Sequence, residues 1–498
     1  MKVLLITAYR QFIAYPPLGL GYLASYLRQN GFECTILDCQ VEAAGQVETV
    51  GCVPLYGMND AQAKERLAAI RPDIIGITSN FTAYHEDTLR MARLCKEVFP
   101  HVPVVMGGAH PSMEDEECVM EPHVDFIVRG EGEETLLELV KTLEQNGDLS
   151  QVAGITYKSG GVAHKNPSRP QIRDLDSLPM PAYDMMRMDL YLKDQLKAIP
   201  FTKNTPAGFI FTSRGCPFRC TFCSTAENWQ KFRYRSANNV VDEIEHLVKN
   251  FGVKEIFVLD DSFVAKKSRV IEICKEILRR GLKISWQLNS GAQVWILNRE
   301  LLSHMAQSGL YKMSLPIETA SKRMLKYINK PVNLEQAHDI IRICNELGIW
   351  SFANFIIGFP EETKEEIEDT VRFINESDLD LAIVFIAQPL AGSKISDDFR
   401  RLGLLPNNRI AYDSTFWSTK YDTVHMKADE LNRKRLEIIS GFTKRRIKRM
   451  FSWRGLRYSL LPKINTFDKL YYFISVSLHI ARMSMAKKKF QIMPPIID

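Results

Sequence analysis

The chain alternates short apolar strands with helical segments, and it does so in two separate series. In the first series, which runs to about Asn146, strands are predicted at Val3–Ala8, Cys34–Asp38, Asp73–Ser79, Val102–Gly107 and Asp125–Arg129. Strands that alternate with helices at this spacing predict a doubly wound parallel sheet of the Rossmann-like kind. Ligands bind such sheets at the carboxyl ends of the strands.

A second series follows a polar connector, residues 147–200, in which prolines interrupt any long helix. Its strands are predicted at Gly208–Thr212, Glu255–Asp260, Ile284–Leu288, Lys312–Pro316, Phe352–Gly358 and Leu381–Gln388. Six βα units form a partial TIM-type barrel, whose functional groups cluster at the carboxyl ends of the strands. We therefore expect a Rossmann-like domain over 1–146, a linker over 147–200, a barrel over 201–400 and a basic helical region over 401–498.

Composition places this α/β protein in a reducing compartment. Of its 498 residues, 45% are hydrophobic and 25% charged, as in ordinary globular proteins. No apolar stretch reaches the roughly 18 residues that cross a bilayer. The ten cysteines have no regular spacing outside one loop, which argues against a disulfide framework. We expect a cytoplasmic protein.

The charge is concentrated near the carboxyl terminus. Residues 431–498 hold 16 Lys and Arg against 3 Asp and Glu, a balance of 16 − 3 = +13 in a chain of net charge +5. Contact with an anionic partner such as a lipid surface would explain this, and so would a solvated basic helix. Within this region, a basic helix at Leu431–Phe451 precedes an aromatic, apolar helix at Leu470–Met483. The two could lie against a membrane surface, or the second could pack over the barrel, which is the more usual fate of apolar helix faces.

Three cysteines, Cys216, Cys220 and Cys223, stand in one tight C-x3-C-x2-C loop. Each thiolate can ligate one iron of a cubane cluster, and no fourth cysteine follows at ligand spacing. One iron of a 4Fe–4S cluster would then stay open to a substrate or cofactor. A structural zinc site is the alternative, but zinc prefers two pairs of ligands and no second pair is visible.

With Phe222 directly before its last cysteine, the loop resembles the signature of the radical S-adenosylmethionine (SAM) superfamily. In that family the open iron chelates the amino and carboxylate groups of SAM. An electron passed into the sulfonium then releases a 5′-deoxyadenosyl radical. The resemblance implies an external one-electron reductant of the flavodoxin or ferredoxin type.

The resemblance also implies which barrel residues contact SAM. Asp261 follows the second strand, where the family has a segment near the SAM amino group, and Glu318 follows the fourth, where similar enzymes place a carboxylate on the ribose hydroxyls. Gly358 and Phe359 end the fifth strand, in a run similar to the family's adenine-binding segment. Helix capping is the structural alternative for the two acids.

The third strand departs from the family pattern. Similar enzymes often carry an arginine near its end, and this sequence has none there. Ser290 and Gln293 are the remaining candidates for the SAM carboxylate. The sequence indicates no catalytic acid or base.

Glycine-bearing loops follow the strands of the first series. Gly107, Gly108 and His110 come after the fourth strand, and Gly130 and Glu131 after the fifth. Glycines there would let the backbone approach a large flat ligand. Upstream of the cluster loop, these elements are similar to the cobalamin-binding domain of cobalamin-dependent radical SAM enzymes, which implies that the five residues contact cobalamin. Taken alone, His110 would more often be a turn histidine.

The loop after the first strand differs from another class of cobalamin domain. Domains of the methionine-synthase type use an Asp-x-His-x-x-Gly loop, whose histidine coordinates cobalt. Here the loop from Tyr9 to Ala14 contains no histidine. The resemblance therefore implies a cobalamin without a base beneath cobalt, which favours methyl transfer as a radical or a cation. The alternative is a degenerate domain that binds no corrinoid.

As a whole, the resemblance implies a methyltransferase acting on an unactivated carbon of a small-molecule or lipid-like substrate. The adenosyl radical would abstract a hydrogen, methylcobalamin would supply the methyl group, and a second SAM would remethylate cobalt. A related version, similar to the anaerobic porphyrin cyclase, performs oxidation or ring formation instead. A sensor without catalysis would not need the SAM contacts.

Methylthiotransferases that modify RNA or protein are a further alternative. They carry a second cluster on three cysteines of the N-terminal domain. Cys34, Cys39 and Cys52 lack the flanking signature, which disfavours both this class and a nucleic-acid substrate.

Overall fold

The computed structural model describes residues 1–9, 15–43, 47–50, 53–193, 202–225, 231–405 and 418–487. The chain divides into two compact units, residues 1–195 and 196–491. Both contain a sheet of parallel strands, so the predicted fold class is confirmed. In the loop after the first strand, where other cobalamin domains carry the cobalt-coordinating histidine, residues 10–14 lie outside the described residues.

The first unit is built on a seven-stranded sheet with the order β2-β1-β5-β6-β7-β8-β9. The strands of this unit are β1 Lys2–Thr7, β2 Glu33–Asp38, β3 Val47–Val50, β4 Val53–Tyr56, β5 Ile74–Thr78, β6 Val104–Gly107, β7 Phe126–Val128, β8 Ile155–Ser159 and β9 Val162–Lys165. Strands β3 and β4 form a separate antiparallel hairpin. The five predicted strands are all present, and they pair in parallel because each returns through a helix.

The helices of the first unit cover this sheet. They are Leu18–Gln29, Asp60–Ile70, His85–Val98, Ala109–Met113, Asp115–Met120, Gly132–Glu144 and Met188–Tyr191. The helix Asp60–Ile70 begins with a capping box, in which the side chains of Asn59 and Gln62 each accept the other's backbone N–H. Val3, Leu4 and Ile6 of β1 are fully buried, which places the core on the sheet.

The expected linker differs from the structure. Within 147–200, strands β8 and β9 extend the sheet as an antiparallel hairpin, and the first unit reaches residue 195. Gly160 and Gly161, both with positive φ, form its two-residue turn, which is typical of hairpins. Ile155 and Thr156 are fully buried against the sheet although the segment is polar overall. The prolines of this segment led to the prediction of a linker, although the Gly160-Gly161 pair in the sequence is itself a hairpin signal.

The second unit is built on six parallel strands in sequence order, which is the predicted partial barrel. They are β10 Ala207–Ile210, β13 Glu255–Val258, β14 Ser285–Leu288, β15 Leu310–Glu318, β16 Trp350–Ile357 and β17 Leu381–Ile386, and a short antiparallel pair is formed by β11 Ser213–Arg214 and β12 Arg233–Tyr234. Residues such as Leu288, Met313 and Phe355 have no solvent exposure and form the core.

Helices follow most of these strands and continue into the carboxyl-terminal region. They are Ala237–Phe251, Lys267–Arg279, Arg299–Gln307, Lys322–Tyr327, Leu334–Glu346, Lys364–Glu376, Lys394–Arg401, Ala428–Met450, Trp453–Gly455 and Phe467–Lys487. The helical carboxyl-terminal region is thus confirmed. Among the described residues, no helix combines the length and the apolarity needed to span a bilayer.

Candidate active site

The three cysteines lie on the loop that leaves β11. Gly215 begins this loop with φ +80°, a conformation that favours glycine. Cys216, Cys220 and Cys223 are all partly exposed, unlike the other described cysteines, which are buried. The backbone N–H of Cys223 donates to the carbonyl of Cys220 at 3.2 Å, which closes a turn between them. The loop therefore presents three thiols at its surface.

Neighbouring segments hold this loop in place. The backbone N–H of Thr221 donates to the carbonyl of Ile328 at 3.2 Å, and its carbonyl accepts from Ile395 at 3.0 Å. The amide of Asn329 donates to the carbonyl of Arg219 at 2.9 Å. Because these partners follow β15 and β17, the loop is fixed to the carboxyl-terminal side of the barrel strands.

The thiols fit an iron–sulfur cluster better than a single metal ion. Within the described ranges, the one set of three His, Cys, Asp or Glu side chains whose ligand atoms lie within 4.8 Å of one another is His85, His110 and Cys118, in the first unit. The three loop cysteines do not form so tight a set, although a single tetrahedral zinc would need one. A wider separation suits a cubane, in which each thiolate binds a different iron.

Burial and neighbouring charges shift the pKa values of two of these thiols. Burial raises the pKa of the Cys220 thiol to about 11, with the Lys330 ammonium acting in the opposite direction. Burial also raises the pKa of Cys216, which hydrogen-bonds with Ser262. Thiols in such surroundings become thiolates when a metal replaces the proton. This donor set therefore favours a bound cluster over free thiolates.

The loop after β13 carries two adjacent acids with different environments. The buried carboxylate of Asp260 accepts bonds from the Thr212 N–H at 2.6 Å and the Ser213 hydroxyl at 2.5 Å, so it anchors the strand that leads to the cysteines. Asp261 reaches solvent. Partial desolvation, together with the charge of Asp260, raises the pKa of Asp261 to about 6. Asp260 is structural, and Asp261 is available to a ligand.

The two candidates after β14 are engaged within the protein. The Ser290 hydroxyl donates to the carbonyl of Asp260 at 2.9 Å. The buried Gln293 accepts from Ser262 at 3.0 Å. Gly291 between them has φ +74°, and a Cβ there would lie 2.7 Å from the backbone nitrogen of Phe263. The packing of these two loops therefore accounts for both side chains.

Glu318 ends β15 in a strained conformation. Its φ is +69°, which is uncommon for a residue with a side chain, and the pairing of β15 with β16 is irregular at this point. Lys330 donates to its carboxylate at 2.6 Å, and both side chains are buried. The Lys330 ammonium also lies 5.7 Å from the Phe222 ring and 5.9 Å from the Trp295 ring. Two rings, a carboxylate and the cysteine loop thus meet around one cation.

Sequence reasoning missed Lys330, Trp295 and Asp260. Lys330 follows the helix Lys322–Tyr327 in a polar stretch, where lysines are usually exposed. No spacing in the sequence links it to Glu318 or Phe222. The adjacent Asp260-Asp261 pair was visible, but only the structure separates the anchoring acid from the accessible one.

Gly358 and Phe359 form the turn that ends β16. Gly358 has φ +81°, and both backbone N–H groups donate to the buried carboxylate of Glu362, at 2.6 and 3.3 Å. Phe359 is fully buried, with ring centroids 6.3 Å from Phe222 and 6.2 Å from Tyr327. Burial raises the pKa of Glu362 to about 8. The Phe359 ring therefore supports Phe222 of the cysteine loop.

In the first unit, Gly108 is required by its neighbours. It has φ +112°, and a Cβ would lie 2.6 Å from the Asn80 side-chain oxygen and 2.8 Å from the carbonyl of Ser79. Gly107 is less constrained, since a Cβ there would lie 3.5 Å from the carbonyl oxygen of Val128. Packing between loops thus explains Gly108 without a ligand.

His110 faces the interior. Its ring centroid is 4.2 Å from that of His85, and its Nδ1 lies 3.2 Å from the Thr82 hydroxyl. Burial, together with the charge of His85, lowers the pKa of His110 to about 3. His110 is therefore a neutral, buried residue whose ring lies against His85.

Gly130 and Glu131 lie after β7. Gly130 has φ +70° with open space beside it, and its N–H donates to the Ser112 hydroxyl at 2.9 Å. The Glu131 carboxylate accepts from the backbone of Ile172 at 2.8 Å. Glu131 thus fixes the later chain segment, while Gly130 leaves room above the sheet edge.

Comparison with known proteins identifies both units. A family model of the radical SAM superfamily matches residues 210–374, and one of the B12-binding domain matches residues 4–140. An uncharacterized methyltransferase of Pyrococcus horikoshii is 36% identical over 76% of this chain and 77% of its own length. The chain belongs to the cobalamin-dependent radical SAM enzymes. As such, it uses a 4Fe–4S cluster, SAM and cobalamin.

Two further relatives and two solved structures extend this comparison. The cytidylyl-2-hydroxyethylphosphonate methyltransferase of Streptomyces wedmorensis is 31% identical over 80% of both chains. The anaerobic magnesium-protoporphyrin IX monomethyl ester cyclase of Rubrivivax gelatinosus is 31% identical over 78% of this chain and 66% of its own.

Of the structures, the cobalamin-dependent SAM radical enzyme OxsB, with aqua-cobalamin and SAM bound, matches 96% of this chain and 72% of its own at a TM-score of 0.69 and 20% identity. TsrM of Kitasatospora setae matches 80% and 75% at a TM-score of 0.66 and 18% identity. At these identities the two structures show that the fold is shared.

Proposed function

We propose that this cobalamin-dependent radical SAM enzyme transfers a methyl group to an unactivated carbon of a small-molecule or lipid-like substrate. The observation that carries this proposal is the alignment with relatives named as methyltransferases, which spans both the cobalamin-binding and the radical SAM regions. When bound, the cluster supplies an electron, SAM the radical and cobalamin the methyl group. The protein positions these groups and excludes competing reactions.

In this proposal, Cys216, Cys220 and Cys223 hold the cluster. Support comes from their partial exposure on one anchored loop and from their looser spacing than a single metal needs. Phe222, backed by the buried Phe359, covers one side of this loop. Because the backbone N–H groups of Gly358 and Phe359 both donate to Glu362 and the Phe359 carbonyl accepts from Glu362, the Gly358 carbonyl is the proposed backbone contact of this turn for the adenine.

Glu318 is the proposed acceptor for the ribose hydroxyls of SAM. Within the described part of the chain, its carboxylate accepts a bond from Lys330 alone, through Oε1. The second oxygen therefore remains available for a ligand. Lys330 donates to one oxygen of this carboxylate and so holds it in place for a ligand.

Asp261 is the proposed contact for the SAM amino group. Its side chain reaches solvent next to Ser262, which hydrogen-bonds with Cys216. Ser290 and Gln293 stay candidates for the SAM carboxylate, but their present bonds would have to be exchanged for it. Backbone groups of the same loops would serve without that exchange.

The corrinoid is proposed to lie over the loops of the first unit after β6 and β7. Gly130 has open space beside it there, whereas a Cβ at Gly107 would lie at ordinary contact distance from Val128. Gly108, His110 and Glu131 would shape these loops, since their contacts are internal. This division among the five predicted residues is supported by the internal contacts of Gly108, His110 and Glu131.

Methyl-labelled SAM tests the proposal. Cofactor-loaded protein, reduced under anoxic conditions, would be incubated with phosphonate, porphyrin and lipid candidates, and products followed by mass spectrometry. Label on a substrate carbon, accompanied by 5′-deoxyadenosine, is the expected result. Label transfer without deoxyadenosine would contradict the radical step. Cys220→Ala is the control that should yield neither product.

Ring-forming oxidation is the second candidate, favoured by the similarity to the anaerobic cyclase over 78% of this chain. The same experiment separates it from methylation. A product that has lost hydrogen, with deoxyadenosine but without label, would support oxidation and exclude methyl transfer to that substrate.

A further inference from the structure

The last helix of the described chain, Phe467–Lys487, carries an apolar stripe on its outer face. Phe467, Leu470, Tyr471, Ile474 and Leu478 are between 38% and 81% exposed. Their spacing of three or four residues places them along one side of the helix. Exposed apolar residues are common singly, but an aligned row of five indicates an interaction surface.

The opposite face of this helix already packs on the barrel. The buried Tyr472 ring lies 5.4 Å from Tyr311 and 6.2 Å from Trp350. Phe473 stacks on Trp350 at 6.0 Å, with 9° between the ring planes. Packing on the barrel, the alternative drawn from the sequence, therefore uses the inner face and leaves the apolar stripe outside.

The preceding segment exposes a second set of apolar side chains. Phe451, Trp453, Tyr458 and Leu461 are between 52% and 77% exposed. Aromatic residues with an apolar body and a polar edge are enriched where protein meets the headgroup region of a bilayer.

Exposed cations lie in the helix Ala428–Met450 and in the segment that carries the second set. They are Lys444, Arg445, Lys448, Arg454 and Arg457. None of the five forms an ion pair within the described ranges, whereas Arg446 and Arg449, on the same helix as the first three, pair with Asp380 and Asp378. We define the C-terminal surface as these five cations together with the nine exposed apolar residues.

We propose that the C-terminal surface docks this protein on the surface of an anionic lipid bilayer. Cations near such a bilayer are attracted to its headgroups, while apolar and aromatic side chains insert at the acyl boundary. The pattern fits a helix lying in the interface, and it is independent of any cofactor.

Charge and side-chain type favour a bilayer over two other partners. A second copy of the chain, related by a twofold axis, would bring the same five cations against one another. Single-stranded RNA would stack its bases on the aromatic rings, but Leu470, Ile474 and Leu478 offer no such face. Both alternatives are outcomes of the test below.

Vesicle co-sedimentation with the full cofactor-loaded chain tests the proposal. We expect at least tenfold stronger binding to vesicles of phosphatidylcholine with about one third phosphatidylglycerol than to phosphatidylcholine alone, with loss at high salt. The triple variant Tyr471→Ser, Ile474→Ser, Leu478→Ser should weaken binding about a hundredfold. Arg454→Gln with Arg457→Gln should weaken it about tenfold, on anionic vesicles only.

Leu278→Ser is the control for replacing an exposed apolar side chain outside the C-terminal surface, since Leu278 is 48% exposed, Ile474 of the triple variant is 47% exposed, and Leu278 lies on a different helix. It should leave binding unchanged, and all variants should keep their cluster absorbance. Equal binding to neutral and anionic vesicles would overturn the proposal. It would also be overturned if the chain formed a dimer or bound RNA and the triple variant abolished that complex. Because the readout needs no turnover, its failure is distinct from failure of the proposed methyl transfer.

Discussion

Two buried lysine–carboxylate pairs of the second unit, Lys463–Asp380 and Lys330–Glu318, have different surroundings. Asp380, directly before β17, accepts from Lys463, from Arg446 at 2.7 Å and from the Ser351 backbone at 2.8 Å. Lys463 donates in addition to Asn345. The Glu318 carboxylate has only Lys330 as a hydrogen-bond partner among the described residues, and its backbone lies at φ +69°.

The difference separates a structural pair from one prepared for a ligand. At Asp380, several donors satisfy the carboxylate and fix the carboxyl-terminal helices to the barrel. At Glu318, an open oxygen and a strained backbone are maintained beside the cysteine loop. Backbone strain of this kind costs free energy, and natural proteins keep it mainly at functional sites.

The largest expected effect comes from a change in the cysteine loop, which lies beside the Lys330–Glu318 pair. Cys220→Ala should abolish the brown cluster absorbance and all SAM cleavage, because one of three thiolates is lost. Absorbance and deoxyadenosine production are the measurements. Cys274→Ala, a buried cysteine of the same unit outside the loop, should keep both. Cleavage that survived in Cys220→Ala would contradict the cluster assignment.

The second prediction concerns the Lys463–Asp380 pair and its contribution to the free energy of unfolding. Lys463→Met removes one of the two cations that offset the charge of the buried Asp380. It should lower the free energy of unfolding by about 3 kcal/mol. Urea denaturation followed by tryptophan fluorescence measures this. Lys469→Met, which removes only a half-buried lysine bonded to Asn465 at 3.2 Å, is the control. An unchanged midpoint for Lys463→Met would mean that this pair does not fix the carboxyl-terminal helices.

Glu318→Gln tests the functional side of the comparison. Loss of the ionised acceptor should lower kcat/KM for SAM between about ten- and a hundredfold, mostly through KM, since charge-assisted hydrogen bonds are roughly twice as strong as neutral ones. Deoxyadenosine production at varied SAM concentration measures it. Glu361→Gln, at an exposed neighbouring acid, should be neutral. The same KM in both variants would remove Glu318 from the SAM site.

Measured per pH unit, the smallest effect comes from Glu362, which adds a third environment, a buried acid whose hydrogen-bond donors are backbone groups. Burial raises its pKa from an ordinary 4.5 to about 8 in the folded protein. Between these values the folded chain keeps a proton that the unfolded chain releases. Stability should therefore fall as pH rises, by up to about 1.4 kcal/mol per pH unit, and level off below and above that window.

Glu362→Gln should remove this slope, and urea unfolding at several pH values would show it. Glu361→Gln should keep the slope of the unmodified chain. Identical slopes in all three proteins would show that Glu362 has an ordinary pKa in the fold.

Much of the architecture could be predicted because strand and helix periods are local properties. The strand at Lys312–Pro316, for example, extends in the structure to Leu310–Glu318. The segment 147–200 was misjudged because its two buried strand residues, Ile155 and Thr156, carry too little apolar pattern. Gly108 was predicted to admit a ligand, and the structure shows that Ser79 and Asn80 already demand a glycine there.

The sequence by itself determined the two βα series and the three-cysteine loop, since spacing along the chain specifies both. Only the tertiary structure decided that Lys330 meets Glu318, that His110 turns inward to His85, and that the last helix faces its apolar stripe outward. The reason is physical. Periodicity and ligand spacing act over a few residues, whereas burial and ion pairing depend on segments that the fold alone brings together.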